Sequence, residues 1–123
     1  MSSARRLLIV EDSPDYRILL ERLFKREGFE VLTAGHGGEA LDQLFQTPIK
    51  PNLILLDLMM PVMDGFEFRN RQLRDEKIAD IPVILLTAHG NLESDPERLG
   101  IEHCLRKPVE KNQLVSLVKS ILN

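Results

Sequence analysis

Apolar residues gather into five short runs separated by longer stretches with a different rhythm. The runs are Leu7 to Val10, Val31 to Ala34, Leu53 to Leu56, Val83 to Leu86, and a weaker one around Cys104 and Leu105. Consecutive apolar side chains on an extended backbone put hydrophobic surface on both faces, which is the pattern of a strand buried on both sides. The intervening stretches repeat apolar positions every three or four residues, as one face of a helix does. Tyr16, Leu19, Leu20, Leu23 and Phe24 form one such stripe, and Gly28 follows as a helix stop. Leu41, Leu44 and Phe45 form a second after Gly37 and Gly38, closed by Pro48 and Pro51. Leu114, Leu117, Val118, Ile121 and Leu122 share a face from Asn112 onward. Between Thr87 and Gly100 the rhythm is broken by Gly90 and Pro96. That stretch leaves room for one or two turns, with Asp95 as cap and Pro96 in the first turn. The fourth helix is therefore expected to be short or irregular.

Strand and helix alternate five times. Such alternation predicts parallel strands joined by right-handed crossovers, an α/β doubly wound five-stranded sheet with helices on both faces. The 123 residues suit a single domain, 1–123, without repeat, linker, low-complexity stretch or attached output domain.

Composition narrows the function classes. With 43% hydrophobic and 28% charged residues, the chain reads as a folded soluble domain rather than a disordered segment. Its 16 basic residues are outnumbered by 19 acidic ones, which argues against direct nucleic-acid binding. The single Cys104 cannot form an internal disulfide and suits a reducing compartment. Arg5 and Arg6 before Leu7 begin like a signal peptide, but the apolar run ends at Glu11-Asp12. No stretch approaches the roughly 18 apolar residues of a membrane span. The expected location is the cytoplasm, with no membrane partner.

In an open doubly wound sheet, ligands bind beyond the carboxyl ends of the strands. Those positions hold Glu11-Asp12 after the first run, Asp57 after the third, Thr87 after the fourth and Lys107 after the fifth. Three carboxylates converging in one crevice repel, so either one keeps a proton or a cation compensates them. Mg²⁺ suits that role, because it takes oxygen ligands and sits between carboxylates and a phosphate. An Asp carboxylate beside it can act as nucleophile toward phosphorus, giving an aspartyl phosphate. Lys107 supplies a positive charge for the transferring group, and the Thr87 hydroxyl can donate to a phosphoryl oxygen.

The run Asp57-Leu58-Met59-Met60-Pro61-Val62-Met63-Asp64-Gly65-Phe66-Glu67 carries the most specific signal. Together with Glu11-Asp12, Ile81-Pro82-Val83 leading to Leu86-Thr87-Ala88, and Lys107-Pro108, it resembles the receiver domain of bacterial two-component response regulators over nearly the whole chain. The resemblance implies a flavodoxin-like sheet of order 2-1-3-4-5. It implies phosphorylation of Asp57 by a histidine kinase or histidine phosphotransfer protein, signalling to an unidentified downstream protein, and catalysis only of the chain's own phosphorylation and dephosphorylation. It also implies Mg²⁺ bound directly by Asp12 and Asp57, by Glu11 through water, and by the backbone carbonyl of Met59. Thr87 would turn toward the phosphoryl group, Lys107 would pair with it, and the Lys107-Pro108 bond would be cis. Met59 and His89 would flank the phosphoryl group and influence its hydrolysis.

Two departures stand out. Receivers usually carry Tyr or Phe three residues before the lysine, where this chain has Cys104, and the spacing from Thr87 to Lys107 is short for the family. The shortfall lies around the fourth helix, whose face with the fifth strand and fifth helix carries dimerisation or docking in relatives. A switch in this chain must therefore use something other than an aromatic at position 104.

Simpler interpretations exist for single residues. Asp12 can cap the first helix, and Asp57 alone can form a strand-end turn. Arg69, Arg71 and Arg74 look like a solvated helix face, Cys104 like a small core residue, and Met59, Met60 and Met63 like packing and loop residues. His36, His89 and His103 lack metal-ligand spacing. Among rival functions, a phosphatase of the haloacid dehalogenase type needs a second acid two residues after the nucleophile, where Met59 stands. A nucleotide or flavin binder needs a glycine-rich loop, whereas the first loop is Glu11-Asp12-Ser13-Pro14. A receiver-like docking module that signals without phosphate is the remaining alternative, favoured by Cys104 and the altered fourth helix and opposed by the five filled reactive positions.

Overall fold

The computed structural model describes residues 5–58, 60, 63–88 and 95–122, except for the side chains of residues 95 and 96. In chain order the elements are β1 (Arg6–Val10), α1 (Pro14–Arg26), β2 (Glu30–Ala34), α2 (Gly37–Gln46), β3 (Leu53–Asp57), α3 (Gly65–Arg74), β4 (Val83–Thr87), α4 (Asp95–Leu99), β5 (His103–Arg106) and α5 (Lys111–Leu122). The strands form one parallel sheet, as their alternation with helices predicts, in the order β2-β1-β3-β4-β5 that the family resemblance implies.

Each apolar run divides its side chains between two cores, because successive residues of a strand face opposite ways. Leu8, Val10, Ile54, Leu56 and Leu85 pack with Ala40, Leu41 and Leu44 of α2 and Phe68 of α3. Leu7, Ile9, Leu53, Leu55, Ile84 and Leu86 pack with Leu20 and Phe24 of α1 and Leu114 and Val118 of α5. Two apolar residues predicted to face the core do not: Leu19 and Phe45 are substantially exposed. The sheet-facing stripe is narrower than the apolar periodicity suggests, and these side chains lie on the flanks of their helices.

Helix ends follow local chemistry. Ser13, not Asp12, caps α1, its Oγ accepting from the Tyr16 N–H at 3.4 Å with Pro14 in the first turn. Asp12 is thereby left outside the helix. Gly28 ends the same helix with φ +93°, a left-handed conformation that only glycine adopts cheaply. His36 caps α2, its Nδ1 accepting from the Glu39 N–H.

α4 is short, as expected, and it begins at Asp95. Its support overturns one expectation. Arg71 and Arg74 are exposed, but Arg69 is buried, at 8% exposure. Its Nε and Nη2 donate to the carbonyls of Leu99 and Gly100 at 3.0 and 3.1 Å, and Nη1 donates to Gln72 Oε1 at 2.8 Å. The buried Gln72 amide in turn donates to the carbonyls of Ile78 and Ile81. The last carbonyls of a helix have no partners within it, and here a guanidinium from α3 supplies them. Arg69→Met, which keeps the stem but removes the donors, is expected to cost about 2–4 kcal/mol by stranding buried acceptors. Urea unfolding checks this, and a change below about 0.5 kcal/mol would show that the network contributes little.

Candidate functional site

β1 and β3 are neighbours at the centre of the sheet, so the residues just past β1 lie beside the end of β3. Glu11 prolongs the ladder of β1 through its N–H to the Ala34 carbonyl, at 2.9 Å, and the residue is 1% exposed. Asp57 is the last residue of β3, 5% exposed. Asp12 lies beyond Glu11 at the surface. Carboxylate oxygens of Glu11, Asp12 and Asp57 all lie within 4.8 Å of one another. The structure thus brings together all three acids predicted from the sequence.

Lys107 follows β5, two strands away from β3, and is anchored by its backbone N–H to the Thr87 carbonyl at 2.9 Å. Its long side chain crosses the end of β4. The ammonium bonds Glu11 Oε1 and lies 3.5 Å from Asp57 Oδ1. Thr87, buried at the end of β4, stands one residue beyond Leu86, the residue paired with Asp57. The Lys107-Pro108 bond is cis, as the sequence resemblance implies. Met59 and His89 fall outside the described residues.

The loops around this cluster are tightly held. Glu11 Oε2 accepts from the Ser13 N–H at 3.0 Å, and the Glu11 carbonyl accepts from Arg17 Nη1 at 2.8 Å. Gly65 opens α3 directly against the end of β3: a Cβ there would fall 2.9 Å from the Asp57 carbonyl oxygen and the Leu58 Cα. This close approach gives the glycine of the Met-Asp-Gly run a physical reason.

Three carboxylates and one ammonium leave the cluster short of positive charge. Burial, the hydrogen bond with Asp12 and the charge of Glu11 push the Asp57 carboxyl up to about 7, against the opposing pull of Lys107. Burial also pushes Asp12 up, but hydrogen bonding with Asp57, Glu11 and its own backbone, together with Lys107, holds it below the ordinary carboxylate range. Below about pH 7 the Asp57 carboxyl therefore keeps a proton that Asp12 accepts. Burial works against the Lys107 ammonium, but Glu11 and Asp57 outweigh it and raise its pKa, so it stays charged. Hard oxygen donors that crowd until one must be protonated are the donor set a divalent cation such as Mg²⁺ fits.

Several residues at the site carry no distinguishing signal in the sequence. Ser13 and Arg17 hold the Glu11 loop. The Tyr16 ring lies under Lys107, with Nζ 5.0 Å from the ring centroid. Tyr16 looks like one more apolar position in the α1 stripe; its place in the first turn after Asp12 is the one available hint. Cys104 is partly buried and packs against the core shared with α2 and α3, as a small core residue does.

Comparison with known proteins agrees with this geometry. Residues 7–119 match the response regulator receiver domain family. The chain is 38% identical over 122 residues to the transcriptional regulatory protein CpxR homolog of Haemophilus influenzae, covering 95% of this chain and 50% of that protein. It therefore spans about half the length of that relative. It is 37% identical over 121 residues to sporulation initiation phosphotransferase F of Bacillus subtilis, covering 95% of this chain and 93% of the other. The crystal structure of the signal receiver domain of a signal transduction histidine kinase from Syntrophus aciditrophicus superposes with a TM-score of 0.87 at 32% identity, covering 97% of this chain and 90% of that one. Fold, acidic cluster and sequence matches converge, and the chain belongs to the response regulator receiver domain family of two-component systems.

Proposed function

We propose that Asp57 accepts a phosphoryl group from a phosphohistidine on a sensor kinase or phosphotransfer protein in the cytoplasm, and that the phosphorylated chain acts as a switch on a protein target. The single observation that carries this is the Asp57 carboxyl, buried in one cluster with two other acids and Lys107, and raised to about 7 by burial, by the hydrogen bond with Asp12 and by the charge of Glu11. Asp12 and Asp57 would hold Mg²⁺ directly, Glu11 through water, and the Met59 backbone carbonyl would complete the protein ligands. When bound, the ion supplies the charge that lets Asp57 ionise and that offsets the charge of the incoming group.

The remaining work falls to the chain's own side chains. An Asp57 oxygen attacks phosphorus, the donor P–N bond breaks, and the departing imidazole retains the electron pair and takes a proton from solvent. Lys107, already 3.5 Å from Asp57, moves onto a phosphoryl oxygen. The Thr87 hydroxyl donates to another and carries the change into the end of β4. Hydrolysis of the aspartyl phosphate resets the switch, so the chain catalyses only its own phosphorylation and dephosphorylation.

Incubation with Mg²⁺ and acetyl phosphate, followed by intact mass measurement and peptide mapping, tests the proposal. One added phosphoryl group at Asp57, blocked by a chelator, is the expected result. A wild-type protein that gains no phosphoryl group, or gains it elsewhere, rejects the proposal.

A further inference from the structure

Tyr16 is the chain's one tyrosine, and the chain has no tryptophan. It sits in the first turn of α1, half-buried against the core shared with α5, and its ring face meets the Lys107 ammonium at 5.0 Å. Val109, on the connection between β5 and α5, packs against the same core. Tyr16 thus lies against Lys107 and shares a core with the segment that carries it.

Lysine is a point charge on a flexible four-carbon stem, unlike the planar fork of arginine. Between Glu11 and Asp57 its ammonium has two anionic neighbours but little to fix where it rests. A ring face attracts a cation through its quadrupole without adding negative charge to a crowded acidic site. Glu11 and Asp57 confine the ammonium on one side and the ring confines it on the other.

We propose that Tyr16 is a positioning residue for phosphoryl transfer: its ring face holds the Lys107 ammonium beside Asp57. The inference rests on the receiver function proposed above. It places an aromatic contact to the site on α1, in a chain whose β5 carries Cys104.

Two variants separate ring from hydroxyl. Tyr16→Phe keeps the ring face, and Tyr16→Leu keeps an apolar body without it. With saturating Mg²⁺ and varied acetyl phosphate, Tyr16→Leu is expected to lower the maximal uptake rate roughly three- to thirtyfold. Dependence on donor concentration should change little, and Tyr16→Phe should stay within about twofold of wild type on the same basis. Proton NMR supplies a readout that general loss of stability would not imitate. The Lys107 side-chain methylenes should show ring-current shifts in wild type and Tyr16→Phe, lost in Tyr16→Leu. If thermal melts show Tyr16→Leu to be unfolded, Tyr16→Met takes its place as the ringless variant.

Uptake by a folded ringless variant at the wild-type rate overturns the proposal, as does a Tyr16→Phe variant as slow as the ringless one. Absence of the ring-current shift in wild type overturns it regardless of the variants. A wild type that takes up no phosphoryl group defeats the receiver function and this inference together, so the wild-type arm alone distinguishes the two failures.

Discussion

Asp57→Asn is expected to abolish phosphoryl uptake and, in metal-free buffer at about pH 8, to raise the thermal unfolding midpoint by several degrees. The first effect follows from loss of the proposed nucleophile. The second follows from the position of the Asp57 pKa, about 7 in the folded chain against an ordinary 3.8. Because the folded pKa lies above the unfolded one, the folded state holds more protons between these values, and the group's contribution to stability falls as pH rises through that window. At about 1.4 kcal/mol per unit, the shift bounds the penalty above pH 7 at about 4 kcal/mol; coupling to Asp12 reduces this to about 1–3 kcal/mol. Asparagine keeps the shape and a donor toward Asp12 while removing the charge. For a chain of this size, each kcal/mol corresponds to about 3–6 °C. Wild type should recover the difference when Mg²⁺ is added and Asp57→Asn should not, while near about pH 4 the two should converge. Calorimetric melts of both proteins, with and without Mg²⁺, check this. A less stable Asp57→Asn in metal-free buffer above pH 7 would mean that the acids do not repel as described.

The parts of this fold legible in the sequence are those set by one-dimensional pattern. The four-residue apolar runs are central strands because only a strand covered on both faces needs hydrophobic side chains on both. Once the strands are known to be parallel, their carboxyl ends share one rim, which is why Glu11, Asp12, Asp57, Thr87 and Lys107 stand out from sequence alone. The short α4 is legible from Gly90 and Pro96 for the same local reason.

What the sequence hides depends on which face of an element meets which neighbour. Arg69 sits among arginines that are exposed, and nothing local distinguishes it; it is buried because a truncated α4 ends beside it and leaves carbonyls without partners. Leu19 and Phe45 satisfy helical periodicity yet lie outside the strip the sheet covers. Tyr16 reads as apolar packing, a description that fits its ring edge but omits the ammonium above its face. For Arg69 and Tyr16 the missing information is a long-range contact, between α3 and the end of α4 or between α1 and the residue after β5.

The same proton that relieves the crowding at Asp57 should govern cation binding. On the proposed function Mg²⁺ takes the Asp57 carboxylate, so below about pH 7 it must displace the proton shared with Asp12. Asp12, held below the ordinary carboxylate range, is already ionised there, and Lys107, raised above its ordinary 10.5, stays protonated. One proton is therefore exchanged, and apparent Mg²⁺ affinity is expected to fall about tenfold per pH unit below 7, to roughly a hundredth of its plateau near pH 5. Above about pH 7 the affinity should level off, because the carboxylate is already free. Titration calorimetry in buffers of different ionisation enthalpy measures both quantities: proton release should approach one per bound ion in the acid limb and fade toward zero in the plateau. Asp57→Asn should flatten the acid limb along with weakening binding. An affinity that does not change between about pH 5 and 8 would show that the cation and the Asp57 proton do not compete for one site, and the link between the crowded acids and metal-dependent phosphorylation would be lost.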